Sequence, residues 1–359
     1  MQITEKDMDI YDFENLIDKC TIRIGENDTV LFEPLHYNYR SHVNEIVKKY
    51  HMENMSVADF TKMAAEHHPL YTARKKLKQK RREEFSTLTP KQVAELPIEE
   101  KISYMEALFL PNQELEEFLD VCKKNEKNIK VCLYNMDFPK SFWKEERQQA
   151  ERYASLIARN KKIVDNIRNW PETTLEEKKE TIMEAREVYK YVYGVTPEIR
   201  FFKEDEERAK NVALGFNENT MIDAAYVKEN VIYFNEDQLQ GSDNFYAVSV
   251  LFHEGTHCRQ DSANFNDDVV NRIFNSDISN LIVYDSMVKE RNKADFRDLY
   301  TMLPSETHAH GVQQYMEGIL TEKTGISKVC YEPETKEVEI VLNKAFAMAA
   351  ITQARSSKL

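Results

Sequence analysis

Glycine is scarce in this chain, with 8 among 359 residues. That weighs against a Gly-rich all-β architecture. Neither G-x-x-x-x-G-K-[ST] nor G-x-G-x-x-G occurs, so nucleotide binding through a phosphate-cradling loop has no support. Cysteine is sparse too: Cys20, Cys122, Cys132, Cys258 and Cys330 are odd in number, scattered and never spaced as C-x-x-C. A disulfide framework is therefore not expected, and a reducing compartment is the simpler assumption. No stretch of about 18 apolar residues occurs, so no membrane span is expected. Met1 to Asp7 lack the basic start and apolar core of a signal peptide, which points to a cytoplasmic location or to export without a cleaved signal. Positive charge is also short. The formal net charge is −13, and phosphate binding needs clustered Lys and Arg, so nucleic acid is not an expected partner.

A hydrophobic content of 42% with 11% aromatics fits a folded globular protein, and the length allows one large domain or two ordinary ones. Residues 1–190 read as a helical N-terminal region. An early strand pair at Thr21–Ile24 and Thr29–Phe32 is the exception, turning through Gly25 to Asp28. Ser56, Thr89 ahead of Pro90, and Thr174 are placed to cap helices, the last leading to about Tyr193; Lys144–Ile167 is long, charged and helical in period. The basic run Arg74–Arg82 precedes Glu83 and Glu84 and reads as a solvated helix face, with docking on an acidic surface or a nuclear address as alternatives. His67 and His68 are adjacent, so on a helix they point in different directions and do not make a ligand pair. The terminal Ser357-Lys358-Leu359 matches a peroxisomal address and is taken as coincidence.

Composition changes near Gly194. Strand candidates follow at Glu198–Phe202, Val212–Phe216, Met221–Val227 and Val231–Asn235, the last also a candidate for pairing with an extended peptide. Ser242 or Asp243 can then cap a helix that is apolar nearly all round from Phe245 to Phe252. The fold class expected is α+β, mostly helical. Residues 191–359 would form a C-terminal domain with a small antiparallel or mixed sheet feeding a buried helix.

That helix continues into His253-Glu254-Gly255-Thr256-His257, an H-E-x-x-H sequence. Positions i and i+4 of a helix share a face, about 5–6 Å apart at Cβ, so His253 and His257 present two imidazoles to one point, as Zn2+ requires. Glu254 is rotated by about 100° from His253 and does not join the same ion easily. It is placed instead to take a proton from a zinc-held water attacking a carbonyl, and to pass it to the leaving amine. Cys258 has no paired cysteine nearby and reads as a buried thiol, and Asp261 as solvent-facing.

A catalytic zinc needs a third protein ligand and an open position. Gln260 and Ala263 stand where H-E-x-x-H-x-x-G-x-x-H would need glycine and histidine, so that completion fails. The next cluster is Leu303-Pro304-Ser305-Glu306-Thr307-His308-Ala309-His310, in which Pro304 can start a helix. With this second helix the sequence resembles the gluzincin branch of the zincin superfamily over roughly residues 195–325. In that branch a Glu from an E-x-x-A helix completes the H-E-x-x-H pair, and Glu306 with Ala309 matches it. The resemblance implies a zincin-like domain, one Zn2+ on His253, His257 and Glu306, and hydrolysis of a peptide or protein substrate. His308 and His310 are the rivals for third ligand. Glu306 and His308 lie about 200° apart on a helix and cannot both face one metal, whereas His310 shares the face of Glu306. His310 would then orient Glu306 or stabilise the oxyanion; Tyr300 and Tyr315 are further oxyanion candidates that read more simply as packing residues.

The leading expectation is thus a zinc metallopeptidase with Glu254 as general base, serving as a housekeeping enzyme or as a toxin or effector. The alternative is a zincin-fold module that binds metal or a partner without hydrolysis.

Overall fold

A computed structural model describes residues 8–24, 29–34, 40–108, 138–216, 222–241, 243–262, 265, 267–301, 303–331 and 338–342. The Gly25–Asp28 turn, Cys122, Cys132, Ser242 and the terminal Ser-Lys-Leu lie outside these residues. The chain forms two compact units, Met1–Asp137 and Phe138–Leu359.

In the first unit, α1 (Ile10–Lys19) starts at Asp9, whose carboxylate accepts from the Tyr11 N–H. It runs straight into β1 (Cys20–Ile24), which pairs antiparallel with β2 (Val30–Pro34). Helices α2 (Arg40–Lys49), α3 (Val57–Phe85), α4 (Pro90–Val93) and α5 (Ile98–Leu108) follow. Ser56 and Thr89 cap α3 and α4 as their spacing predicts, Thr89 with Gln92 in a capping box. Phe13, Leu16, Ile17, Ile46, Met52 and Phe60 form this unit's core. His67 is tied into that core: its ring nitrogens bond the Met63 and Met8 carbonyls, and it stacks on Phe13 with ring centres 4.8 Å apart. The basic run lies on α3, where Arg74 and Lys78 pair with Glu14 and Arg81 with Glu84 and Glu100.

The second unit opens with α6 (Lys140–Arg159), α7 (Lys161–Arg168) and α8 (Leu175–Tyr193). The expected single helix through Lys144–Ile167 breaks at Asn160, whose side chain accepts from the Ile163 N–H and starts α7. Thr174 and Glu177 make a capping box at the head of α8, and Gly194 ends it at φ +73°, a conformation that favours glycine. After β3 (Glu198–Phe202) the chain forms α9 (Glu204–Ala213), β4 (Ala225–Lys228) and β5 (Val231–Asn235). The strand expected at Val212–Phe216 is absent: Val212 and Ala213 close α9, a helix favoured by four consecutive acidic residues in its first turn. Glu229 and Asn230, at φ 53° and 61°, make the tight two-residue turn between β4 and β5. The sheet is mixed, in order β3-β5-β4, with β3 parallel and β4 antiparallel to β5. Strand β5 is therefore paired on both sides and has no edge for an added peptide strand; among the described residues, β3 and β4 carry the unpaired edges.

Then come α10 (Glu236–Gly241), α11 (Tyr246–Asp261), α12 (Asp268–Glu290), α13 (Arg297–Thr301) and α14 (Pro304–Thr324). A last hairpin, β6 (Lys328–Tyr331) and β7 (Val338–Leu342), went unread in the sequence. Asp243 supports the start of α11 by accepting from the Phe245 N–H. Helix α11 is buried on nearly every side, as its all-round apolar sequence predicts, and packs on α8, α14, β4 and β5. This packing places α6–α8 in the second unit, so the expected boundary at 190/191 moves to 137/138. Gly194 is a helix end, not a domain linker. An apolar helix needs cover from several elements, and Tyr153 of α6 and Tyr189 of α8 provide it by packing on Phe252.

Gly255, inside the H-E-x-x-H, is fixed by the same contact. A Cβ there would meet the Tyr189 ring at 2.6 and 2.9 Å. Gly255→Ala is therefore expected to lower stability by about 1–3 kcal/mol, as overpacked cores do, read from the denaturant midpoint. An unchanged midpoint would mean that Tyr189 moves aside freely.

No helix among the described residues is long and apolar enough to cross a membrane.

Candidate metal centre

The site is where α11 meets the first turn of α14. Pro304 occupies the first position of α14, and Asp277 of α12 accepts from the Ser305 N–H at 2.8 Å, satisfying one of the free donors of that helix end. Burial raises the Asp277 carboxyl to about 6. Glu306 thus sits in a fixed first turn and points at the two histidines of α11. Its Oε1 is 3.1 Å from His257 Nε2 and its Oε2 is 3.4 Å from His253 Nε2; the two Nε2 atoms are 3.1 Å apart. Two ligands about 2.0–2.1 Å from one zinc at tetrahedral angles lie roughly 3.3 Å apart, so the trio has the spacing of a shared ion. Among the described residues it is the one group of His, Cys, Asp and Glu side chains close enough to hold a metal.

Two hydrogen-bonded chains decide which way the imidazoles face. From His257, Nδ1 bonds Gln260 Oε1 at 2.7 Å. The orientation of that amide is fixed, because Gln260 Nε2 donates to the Ser305 carbonyl at 3.0 Å and to His308 Nδ1 at 2.9 Å. His308 Nε2 in turn donates to Glu146 of α6 at 3.0 Å, and Arg259 grips the same carboxylate with two hydrogen bonds of 2.9 and 2.6 Å. From His253, Nδ1 bonds Gln313 Oε1 at 3.0 Å; Gln313 Nε2 donates to Glu317 at 2.8 Å, and Lys328 donates to Glu317 at 2.8 Å. Each glutamine oxygen can only accept, so each Nδ1 carries a proton and, in the neutral ring, each Nε2 carries a lone pair. Two lone pairs and a carboxylate then face one another across about 3 Å. That arrangement repels itself unless a cation stands between them, which is why the donor set fits a metal.

The titration behaviour agrees. Burial alone would disfavour charge on His257, but the charge and hydrogen bond of Glu306 raise it to about 10. Burial pushes Glu306 up, yet His257 and His253 outweigh that and hold it well below the usual carboxylate range. Without metal, a proton on His257 fills the cation's place.

Glu254 lies beside the trio but outside it. It is buried and forms no hydrogen bond among the described residues, so its carboxylate is uncommitted. Burial raises its pKa against the pull of His253 and His257. His310 shares the face of Glu306, with Nε2 3.6 Å from Glu306 Oε2 and its ring centre 4.3 Å from that of His253. His308, the other rival ligand, is turned away and fully buried among Phe142, Trp143 and Phe274. Burial lowers its pKa despite Glu146, consistent with the neutral ring that its two partners require. Glu146 is held at about 2: burial opposes its charge, but Arg259 and His308 more than compensate. The Tyr300 phenol borders Glu306, and burial raises its pKa well above normal. Tyr315 is part of the hydrophobic core. Cys258 is a buried thiol pushed up to about 12 by burial, and Asp261 is exposed at the end of α11.

Gln260, Gln313, Glu317 and Glu146 are the site's supporting residues that were not read from the sequence. Three left a signal: Gln260 is one turn past His257, and Gln313 and Glu317 continue the α14 face that carries Glu306 and His310 at helical spacing. Glu146 comes from a helix more than a hundred positions earlier and left none. Gln260→Ala is expected to weaken zinc binding by about 10–100-fold, as loss of a ligand's hydrogen-bond partner does. Competition with a chromophoric chelator measures this, and a loss under twofold would show that Gln260 does not orient His257.

No protein-family model, no curated protein and no solved structure matches this chain.

Proposed function

We propose that the chain is a zinc-dependent peptidase of gluzincin-like plan, with Zn2+ held by His253, His257 and Glu306. The observation that carries this reading is the uncommitted, buried Glu254 carboxylate beside a three-ligand donor set. A purely structural zinc is normally closed by four protein ligands, and three with an adjacent free base suit catalysis. Bound there, zinc supplies Lewis acidity, lowering the pKa of a coordinated water to about 7 and polarising a carbonyl. Glu254 would take a proton from the attacking water as its oxygen adds to the carbonyl carbon, and would pass it to the leaving nitrogen as the C–N bond breaks. His310 and Tyr300, both at the side of Glu306, are the groups placed to donate to the developing oxyanion. Gln260 and Gln313 keep the imidazoles turned toward the metal. The substrate is an extended peptide, and β4, whose preceding residue Ala224 accepts from Tyr246 of the active helix, offers it an edge unpaired among the described residues.

The test is hydrolysis of a peptide library by the full-length chain before and after chelation. Activity should vanish with the metal and return with one equivalent of zinc. Hydrolysis that persists in the metal-free chain would overturn the zinc mechanism.

A further inference from the structure

Beside the metal centre a cavity of about 210 Å³ opens between α9, the residues leading into β4, and α12. It adjoins the site through two residues. The ring of Tyr284, in its wall, lies 4.9 Å from Tyr300, whose phenol borders Glu306. Asp223, also in the wall, bears electrostatically on Glu254. Pockets for drug-sized ligands run to about 300–1,000 Å³, so this one suits a single long side chain.

Its chemistry favours a cation. Three carboxylates line it, Glu207, Asp223 and Asp285, against one ammonium, Lys293. Lys293 is already committed, 2.6 Å from both oxygens of Asp223, and Glu207 pairs with Lys210. Asp285, exposed at the mouth, forms no hydrogen bond or ion pair among the described residues, although Lys289 and Lys293 lie near enough to act on it. The ring of Tyr284, 3% exposed, closes one wall of the cavity. The rings of Phe216, Tyr226 and Tyr284 supply apolar walls for an aliphatic stem, with Lys289 and Lys210 already lying over the Phe216 and Tyr226 rings. A chelated metal ion does not fit, because among the described residues these carboxylates do not converge as the His253, His257 and Glu306 atoms do.

We propose that this cavity receives a lysine or arginine side chain of the substrate, next to the bond cleaved at the metal centre. The inference rests on the peptidase reading above and deepens it.

The experiment uses the zinc-loaded full-length chain and matched peptides carrying Lys, Arg, norleucine or Glu at each position around the cleaved bond. One position should show a kcat/KM preference for Lys and Arg over norleucine of roughly tenfold or more, the scale of a charge-assisted contact. Asp285→Asn should bring that ratio close to one, and Asp285→Lys should favour Glu; Asp285 is exposed, so both variants keep the fold. Cleavage without a basic preference, or a preference indifferent to Asp285→Asn and Asp285→Lys, overturns the pocket and leaves the peptidase reading standing. If wild type cleaves no peptide, that reading fails, and the pocket is judged by binding. Saturation-transfer NMR should then detect N-acetyl-arginine amide but not N-acetyl-norleucine amide, with the signal lost in Asp285→Lys. Equal or absent binding of the two amides overturns the proposal.

Discussion

Glu254→Gln is expected to lower peptide hydrolysis by about 10³-fold while the chain keeps its zinc and its stability, since general acid–base catalysis contributes roughly 10²–10⁴-fold. Glutamine keeps the size of glutamate but cannot take up a proton. Glu254 is outside the trio formed by His253, His257 and Glu306, so the metal has no reason to leave. It forms no hydrogen bond among the described residues, so the substitution leaves no buried donor or acceptor newly orphaned in the surrounding protein. Activity within a few-fold of wild type in a zinc-loaded Glu254→Gln chain would remove the general-base role. Zinc lost together with activity would instead make Glu254 part of the metal site.

His253→Ala should take bound zinc from about one per chain to near none and weaken the dissociation constant by more than about 10³-fold, because a three-ligand site loses one donor and its geometry. Zinc at a thousand times its dissociation constant stabilises a fold by about 4 kcal/mol, so the variant should also lose the zinc-dependent rise in melting temperature. Proton release sharpens the test. In the metal-free chain His257 is raised to about 10, so near pH 7 it is protonated and zinc must displace that proton. Calorimetry in buffers of different ionisation enthalpy should find close to one proton released per zinc, and affinity should fall as pH falls. The same shift sets the sign for the metal-free fold. The stabilisation from protonated His257 is complete below its ordinary value of 6.5 and is lost as pH rises through about 10. Glu306, depressed below 4.5, contributes above that value and loses its contribution in acid. Zinc binding with no proton release would mean that the histidines were already neutral.

What the sequence conveyed well were features written in local spacing. The caps at Ser56, Thr89 and Thr174, the buried helix through Phe252, and the four-residue spacing of His253 and His257 each depend on residues within a turn or two. Glu306 became legible because Pro304 marks a helix start and the residue two further on falls in its first turn. What was lost depends on partners distant in the chain. The β-branched, aromatic look of Val212–Phe216 suggested a strand, but Val212 lies under the control of the acidic helix start at Glu204–Glu207. The strand at Val231–Asn235 was read correctly as a strand, yet only the parallel pairing with Glu198–Phe202 reveals that it is central and has no free edge. Gly194 resembled a linker because a left-handed helix end and a domain boundary favour the same residue. His308 looked like a rival ligand because nothing local announces Glu146, the group that turns it away.

X-ray absorption at the zinc edge of the purified chain decides whether zinc is held by His253, His257 and Glu306. One zinc per chain is expected, with two imidazole nitrogens at about 2.0–2.1 Å, one carboxylate, and a fourth position taken by a water oxygen. A site closed by four protein ligands, or one with sulfur in its shell, would contradict it.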